Sequence, residues 1–265
     1  MTSKLHPTAL MPFSNGKPPH LPCGPGDLAE DVLIPGDPDR VELLASMLDN
    51  VISFGRKREF AVITGTYKGH PLSICSSGIG GPSTEIALVE LSMLGAKRVI
   101  RIGGMSALVP QIQTGSFLVV QNAIGMTGVG DLYGEKGSQS FSDTELSKAL
   151  IQSANKHGMT SFAGTVATTD SYYLGQDRPV SLKENFSNAA SKYLDRFREQ
   201  GALGVDMESH VILSVSKRLG LKAACLLGVH GNRATNDWLV DYESTQRNLL
   251  CIAGSALTFT LKSET

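Results

Sequence analysis

Short apolar runs alternate with stretches of helical spacing along most of this chain. Asp31-Val-Leu-Ile-Pro35 reads as a buried strand, and residues 41–48 carry apolar side chains at helical intervals. Residues 54–63 and 71–77 read as strands joined by the turn Lys68-Gly69-His70. A helix opens across Gly78-Ile-Gly-Gly-Pro-Ser-Thr84 and runs to Leu94, with Pro82 suited to its first turn. Strands follow at 97–103 and 116–123, the first ending in a flexible Gly103-Gly104 turn. The glycine-rich segment 125–142 reads as a mobile surface loop over a cleft. After it come a helix at 144–157 closed by Gly158, a strand at 162–167 and a charged surface helix at 189–200. A strand at 203–208 runs into a helix at 209–219, then a strand at 221–229 and a last helix at 244–261. Residues 1–30 are rich in Pro and Gly and read as an arm. With no repeat or linker, this alternation predicts one α/β domain over residues 1–265, ligand groups sitting at the C-terminal ends of its strands.

Composition narrows the function. An apolar fraction of 41% and a charged fraction of 18% fit a globular protein with a sizeable core. A net charge of −1 gives no whole-molecule field for nucleic acid or membrane, so any anion site must be local. Cys23, Cys75, Cys225 and Cys251 show no metal-ligand spacing; Cys75 and Cys225 lie in apolar runs, as buried thiols do. No run approaches membrane-spanning length, and the expectation is a cytoplasmic protein.

Several segments carry candidate chemistry. In Thr168-Thr-Asp-Ser-Tyr-Tyr-Leu-Gly-Gln-Asp-Arg178, a planar ligand could stack on Tyr172 while Gln176 and Arg178 hydrogen-bond a uracil-like edge. A polar surface loop is the alternative. Gly36 to Arg40 is a strand-to-helix turn that favours an anion, although Asp39 could simply cap the helix and Arg40 be exposed. Arg101 sits among apolar neighbours and needs an anionic partner, either a carboxylate or a bound oxyanion. Asp206 and Glu208 stand where a strand meets a helix, placed to favour the helix dipole or to hold hydroxyls in a cleft. Taken alone, His20 is a solvated loop histidine and Arg56-Lys-Arg58 a solvated edge.

Ile34-Pro-Gly-Asp-Pro-Asp-Arg40, Arg58-Glu-Phe60, Gly78 to Thr84, Arg101-Ile-Gly103, Asp170 to Arg178, Asp206-Met-Glu-Ser209 and Asn232-Arg233 occur in that order. Together they resemble the pyrimidine-cleaving, uridine phosphorylase branch of the nucleoside phosphorylase family, from about His20 to the last helix. The resemblance implies a three-layer α/β/α sandwich around a mixed, barrel-like sheet. It implies cleavage of a nucleoside, uridine first, by phosphate to free base and ribose 1-phosphate; a nucleosidase or a phosphorylase for another nucleoside is the alternative. By the same likeness Gly36, Arg40, Arg101 and the residue at 104 bind phosphate, with Arg58 lent by a neighbouring subunit. Met207 and Glu208 hold the ribose, with His20 of the neighbour at the 5′-hydroxyl. Tyr172, Gln176, Arg178 and Arg233 form the base site, and Arg40, Arg101, Gln176 and Arg178 carry the catalysis. Glu59, Ile79 and Ser83 match positions that hold a monovalent cation such as K+ between subunits. No organic cofactor is implied, phosphate is co-substrate, and the assembly is a hexamer built as a trimer of dimers.

Four positions bear on phosphate use and specificity. The family's hydroxyl residue after Arg101-Ile-Gly103 is replaced by Gly104, and its two aliphatics near the uracil edge by His230-Gly231. Purine-cleaving relatives carry an aspartate that the likeness aligns with Asn232, which cannot act as an acid.

Overall fold

The computed structural model describes residues 7–134, 136–181 and 192–260. Strand β1 (Asp31–Ile34) leads into α1 (Pro38–Ala45), and a hairpin set follows: β2 (Asp49–Lys57), β3 (Phe60–Tyr67) and β4 (His70–Cys75). Next come α2 (Gly81–Met93), β5 (Arg98–Ala107), β6 (Phe117–Met126), α3 (Gly128–Tyr133) and β7 (Ser140–Phe141). The chain continues through α4 (Thr144–Lys156), β8 (Ser161–Thr169), a single 3-10 turn at Leu174–Gln176 and α5 (Tyr193–Glu199). It ends with β9 (Ala202–Asp206), α6 (Ser209–Leu219), β10 (Lys222–Asn232), β11 (Asp237–Trp238) and α7 (Glu243–Thr260).

All the strands join one mixed sheet. Strand β5 pairs with β10 in parallel and with β9 antiparallel, and β10–β6–β8–β9 completes the circuit. The result is a closed barrel of β5, β10, β6, β8 and β9, from which β1, β4, β3 and β2 extend as an open sheet. The expected sandwich around a barrel-like sheet is thus the observed architecture.

The strand period of two builds two cores. Val32, Val99, Leu118, Val120 and Cys225 face α2 and α6, packing on Leu88, Leu91 and Ile212. Their chain neighbours Leu33, Ile100, Val119 and Ala224 face α1, α4 and α7, packing on Leu44, Leu150 and Leu250. Strands covered on both faces read as continuous apolar runs, as these do. Asp31 is buried within this interior, where Arg98 and His70 hold it, at 2.5 and 2.6 Å. No helix among the described residues is long and apolar enough to cross a membrane.

Several sequence expectations change. The strand expected at 54–63 is two strands, broken at Arg58, whose φ of 56° turns the chain. Asp37 rather than Asp39 caps α1, accepting the Asp39 N–H at 2.9 Å, so the helix starts at Pro38. Strand β5 does not end at Gly103 but continues to Ala107, and β10 carries His230 to Asn232 within it. The loop at 125–142 contains the end of β6, α3 and β7 and packs on α6 through His210, and none of its described residues lines the cleft. The start expected at Ala189 for the charged helix lies outside the described residues, as does Leu261 at the end of the last one.

Leu88→Ala and Leu250→Ala each remove a fully buried side chain, from different cores. Each is expected to cost about 2–5 kcal/mol in urea unfolding, and the double variant to equal the sum within about 0.5 kcal/mol. Strong coupling between the two would show that the sheet does not separate the cores.

Candidate active site

A cavity of about 680 Å³ opens where β5, β9 and β10 end, and β1 gives way to α1 at its edge. Gly36, Arg40, Arg101, Gly103, Gly104, Tyr172, Gln176, Arg178, Met207 and Glu208 all line it. Residues from four separate stretches of sequence therefore meet at the strand ends, where α/β sheets place ligands.

At its centre is Arg101, 3% exposed. Its position on β5 has the parity of Val99, so it points to the α2 and α6 side rather than toward α7. Its Nε donates to Asp206 Oδ2 at 3.1 Å and its Nη2 to Glu208 Oε2 at 2.5 Å. Burial alone would weaken the guanidinium charge, but Glu208 and Asp206 outweigh it and raise the Arg101 pKa. Gly103 makes the geometry possible, because a Cβ there would lie 2.5 Å from the Arg101 guanidinium. This glycine is the space into which Arg101 folds back, not a flexible turn.

Asp206 is a hub rather than a ligand group. It also accepts from Thr168 Oγ1 at 2.7 Å and from the Ser209 N–H and hydroxyl at 3.0 and 2.7 Å. That ties the ends of β8 and β9 to the first turn of α6. Glu208 keeps more freedom: its Oε1 accepts the Gly80 N–H at 2.7 Å, and each oxygen retains lone pairs for ligand hydroxyls. Burial pushes its carboxyl above the usual range, with Arg101 opposing.

Arg40 differs from Arg101 in having no carboxylate partner among the described residues. One Nη1 bond to Ile102 O at 3.3 Å holds it, and its Nε is buried without any partner. Burial and the nearby Arg101 charge both lower its pKa. A cation in that state is a receptor for an anion. Gly36 keeps its own approach open, since a Cβ there would meet Gly78 O at 3.2 Å.

Tyr172 to Arg178 forms the other wall. Gln176 is 3% exposed, and Arg178 Nη1 donates to its Oε1 and to Tyr172 O. The Arg178 guanidinium lies 3.8 Å from the centre of the Tyr172 ring, so one face of that ring already carries a cation. Arg233 stands behind this wall, donating to Gln176 O at 3.0 Å and Asp177 O at 3.3 Å. It braces the segment rather than lining the cavity.

Other expected residues fall elsewhere. Glu59, Ile79 and Ser83 do converge on one rim of the cavity, against Gly78. Arg58 is exposed beyond the rim and His20 pairs with Glu90 at 2.6 Å; neither lines this chain's cavity. Asn232 does not line the cavity: its amide donates to Val109 O and Ile112 O and accepts from the Ala234 N–H. At 2% exposure it braces a loop. Conversely, Arg56, His230, Trp238 and Tyr242 line the cavity without having been singled out as site residues. Only the departure at 230 signalled one of them in the sequence.

His230 is pushed down to about 4 by burial and by the Arg40 charge. Between pH 6.5 and that value the unfolded chain binds a proton that the native state refuses, so native stability falls as pH drops through this window. His230→Gln should flatten that part of the pH dependence in urea titrations, leaving the smaller share of His157, also lowered by burial. Gly103→Ala should cost about 1–3 kcal/mol in the same assay, because Arg101 must leave its carboxylates or the strand must shift.

The chain is similar to known proteins. Residues 30–251 match the family model described as Phosphorylase superfamily. The chain is 38% identical over 219 residues to a uridine phosphorylase of Thermococcus kodakarensis, covering 83% of this chain and 79% of that one. It is 32% identical to the Escherichia coli uridine phosphorylase over 82% of this chain and 87% of the relative. A guanosine phosphorylase of Halorubrum lacusprofundi is 29% identical over 82% and 84% of the two chains. With a closed barrel, a cleft at its strand ends and a family match across both, the chain belongs to the phosphorylase superfamily.

Proposed function

We propose that this protein is a pentosyltransferase that cleaves a pyrimidine nucleoside, uridine foremost, with inorganic phosphate. One observation carries the reading: Arg40 and Arg101 share a single cavity with the Gln176–Arg178 pair. The uridine phosphorylase relatives support it.

In the proposed reaction a phosphate oxygen attacks C1′ of the ribose as the glycosidic bond breaks. The bonding electrons leave with the base, which takes a proton from solvent, and ribose 1-phosphate forms. Positive charge develops on the sugar and negative charge on the base. Arg40 and Arg101 hold the nucleophile in line, and Arg178 with Gln176 receives the anionic base edge. Met207 and Glu208 take the ribose, Glu208 accepting from its hydroxyls. Tyr172 offers the base its remaining face. No organic cofactor enters this scheme.

Charge counting bears on the assembly. Arg40 and Arg101 are offset by Asp206 and Glu208, so a phosphate dianion needs further positive charge nearby. Arg56 lines the rim, its charge already shared with Asp39 at 3.2 Å. Arg58 of a neighbouring subunit supplies that charge in this proposal, with His20 of that neighbour beside the 5′-hydroxyl and the whole assembled as a hexamer. A K+ ion bound at Glu59, Ile79 and Ser83 between subunits, a cytoplasmic setting, and action as one domain with residues 1–30 as its arm complete the reading.

A second reading keeps the fold and changes the nucleoside. Its support is the imidazole of His230 inside the cavity, together with the guanosine phosphorylase relative.

Uracil release from uridine should rise with phosphate concentration and saturate. Equal rates without phosphate would make the protein a nucleosidase, and faster release from guanosine or inosine would favour the second reading. Arg40→Ala should raise the phosphate KM by about 10- to 100-fold, whereas Gln176→Ala should raise the nucleoside KM by a similar factor. Loss of both affinities in each variant would contradict this division of labour.

A further inference from the structure

Strands β5 and β10 run in parallel register from Lys222 opposite Arg98 to Val229 opposite Met105, but Gly231 then faces Ser106. His230 is therefore the extra residue of a β-bulge, with no partner on β5. Bulges re-aim side chains, and this one turns an imidazole back across the neighbouring strand. The ring lands on Gly104: a Cβ built there would lie 2.7 Å from His230 Nδ1 and 2.8 Å from Cε1. An imidazole at 230 and any side chain at 104 thus exclude each other. Stacking on Tyr242, with centroids 4.4 Å apart at 29°, pins the ring from its other side.

The two ring nitrogens have different surroundings. Nε2 is buried without a hydrogen-bond partner, whereas Nδ1 is the nitrogen beside Gly104, at the cavity wall. Protonating both would leave an N–H at Nε2 with no acceptor, and Arg40 adds repulsion. The ring is consequently neutral, and a proton on Nδ1 is the one a ligand can use. Close by, Arg40 Nε is the other buried polar atom of this cavity that lacks a partner. One acceptor-rich anion accepts from both Arg40 Nε and His230 Nδ1, while Nε2 stays unprotonated.

We propose that His230 is a phosphate-binding residue, donating from Nδ1 to the oxyanion held by Arg40 and filling the volume that a side chain at position 104 would occupy. The inference rests on phosphate being the anion of this cavity. It makes the Gly104 and His230 departures one exchange: a donor on β5 is given up and another is brought in from β10.

Inorganic phosphate, titrated calorimetrically into the intact protein without nucleoside, tests this. His230→Leu should weaken phosphate binding by about tenfold, and His230→Gln, which keeps a neutral N–H, should recover most of the loss. Gly104→Ala should weaken binding too by displacing the ring, and Gly104→Ala/His230→Leu should be no weaker than His230→Leu alone. If His230→Leu does not fold, Gly104→Ala makes the same test. In steady-state assays the phosphate KM should rise while the nucleoside KM holds. Unchanged phosphate affinity in His230→Leu, or a rise in nucleoside KM alone, would overturn the inference while leaving the phosphorylase reading intact. Phosphate binding that tracks residue 230 in a protein with no phosphate-dependent cleavage would sink that reading and keep the inference. A wild-type protein that binds no phosphate would remove both.

Discussion

A guanidinium withdrawn from water needs its counter-charge supplied by the fold, and Arg101 sets that requirement at the middle of this molecule. Two carboxylates meet it, Asp206 at the end of β9 and Glu208 at the entrance to α6. Because Asp206 also binds Thr168 and Ser209, satisfying Arg101 pulls the ends of β5, β8 and β9 together with α6. The barrel closes around this buried ion network, and the floor of the cavity is its exposed side. Breaking the network from one end would leave an uncompensated charge in the interior, which makes the site and the fold energetically inseparable.

Arg40 is the counterpart that the fold leaves unmatched. Its charge has been brought out of water with one backbone carbonyl to bond and no carboxylate among the described residues. Desolvation costs stability in the empty protein and returns it when an anion arrives, so affinity is stored in the unfilled partner list. Opposite it, Arg178 is already engaged with Tyr172 and Gln176, which orders that wall before any ligand binds. Preorganised donors of this kind need little rearrangement when a ligand binds.

Glycines do much of the shaping through the volume they leave open. Gly103 gives Arg101 the room to fold back, Gly104 gives His230 its place, and Gly125 and Gly130 leave space for the buried ring of His210. In the chain such glycines look like loosened backbone, and Gly103-Gly104 reads as a turn. In the structure Gly103, Gly104 and Gly125 are strand residues and Gly130 lies in α3, and each leaves room for another residue's functional group. Packing across strands, which no local pattern records, decides between the two.

The linear pattern determined the alternation of strands and helices, the double-sided burial of the strands and the order of motifs that marks the family. Each of these depends on spacing within a few residues, and apolar period and turn chemistry encode that directly. The same motifs placed Arg40, Arg101, Gln176, Arg178 and Glu208 in one site, and the structure brings all of them to one cavity. Tertiary structure alone decided that Arg101 is matched and Arg40 is not, that Asn232 is tied to Val109 and Ile112, and that a bulge swings His230 onto Gly104. Those outcomes turn on strand register and on contacts between residues more than a hundred positions apart, as Arg101 is from Asp206. A sequence states which groups are present; only the closed sheet fixes which of them face one another.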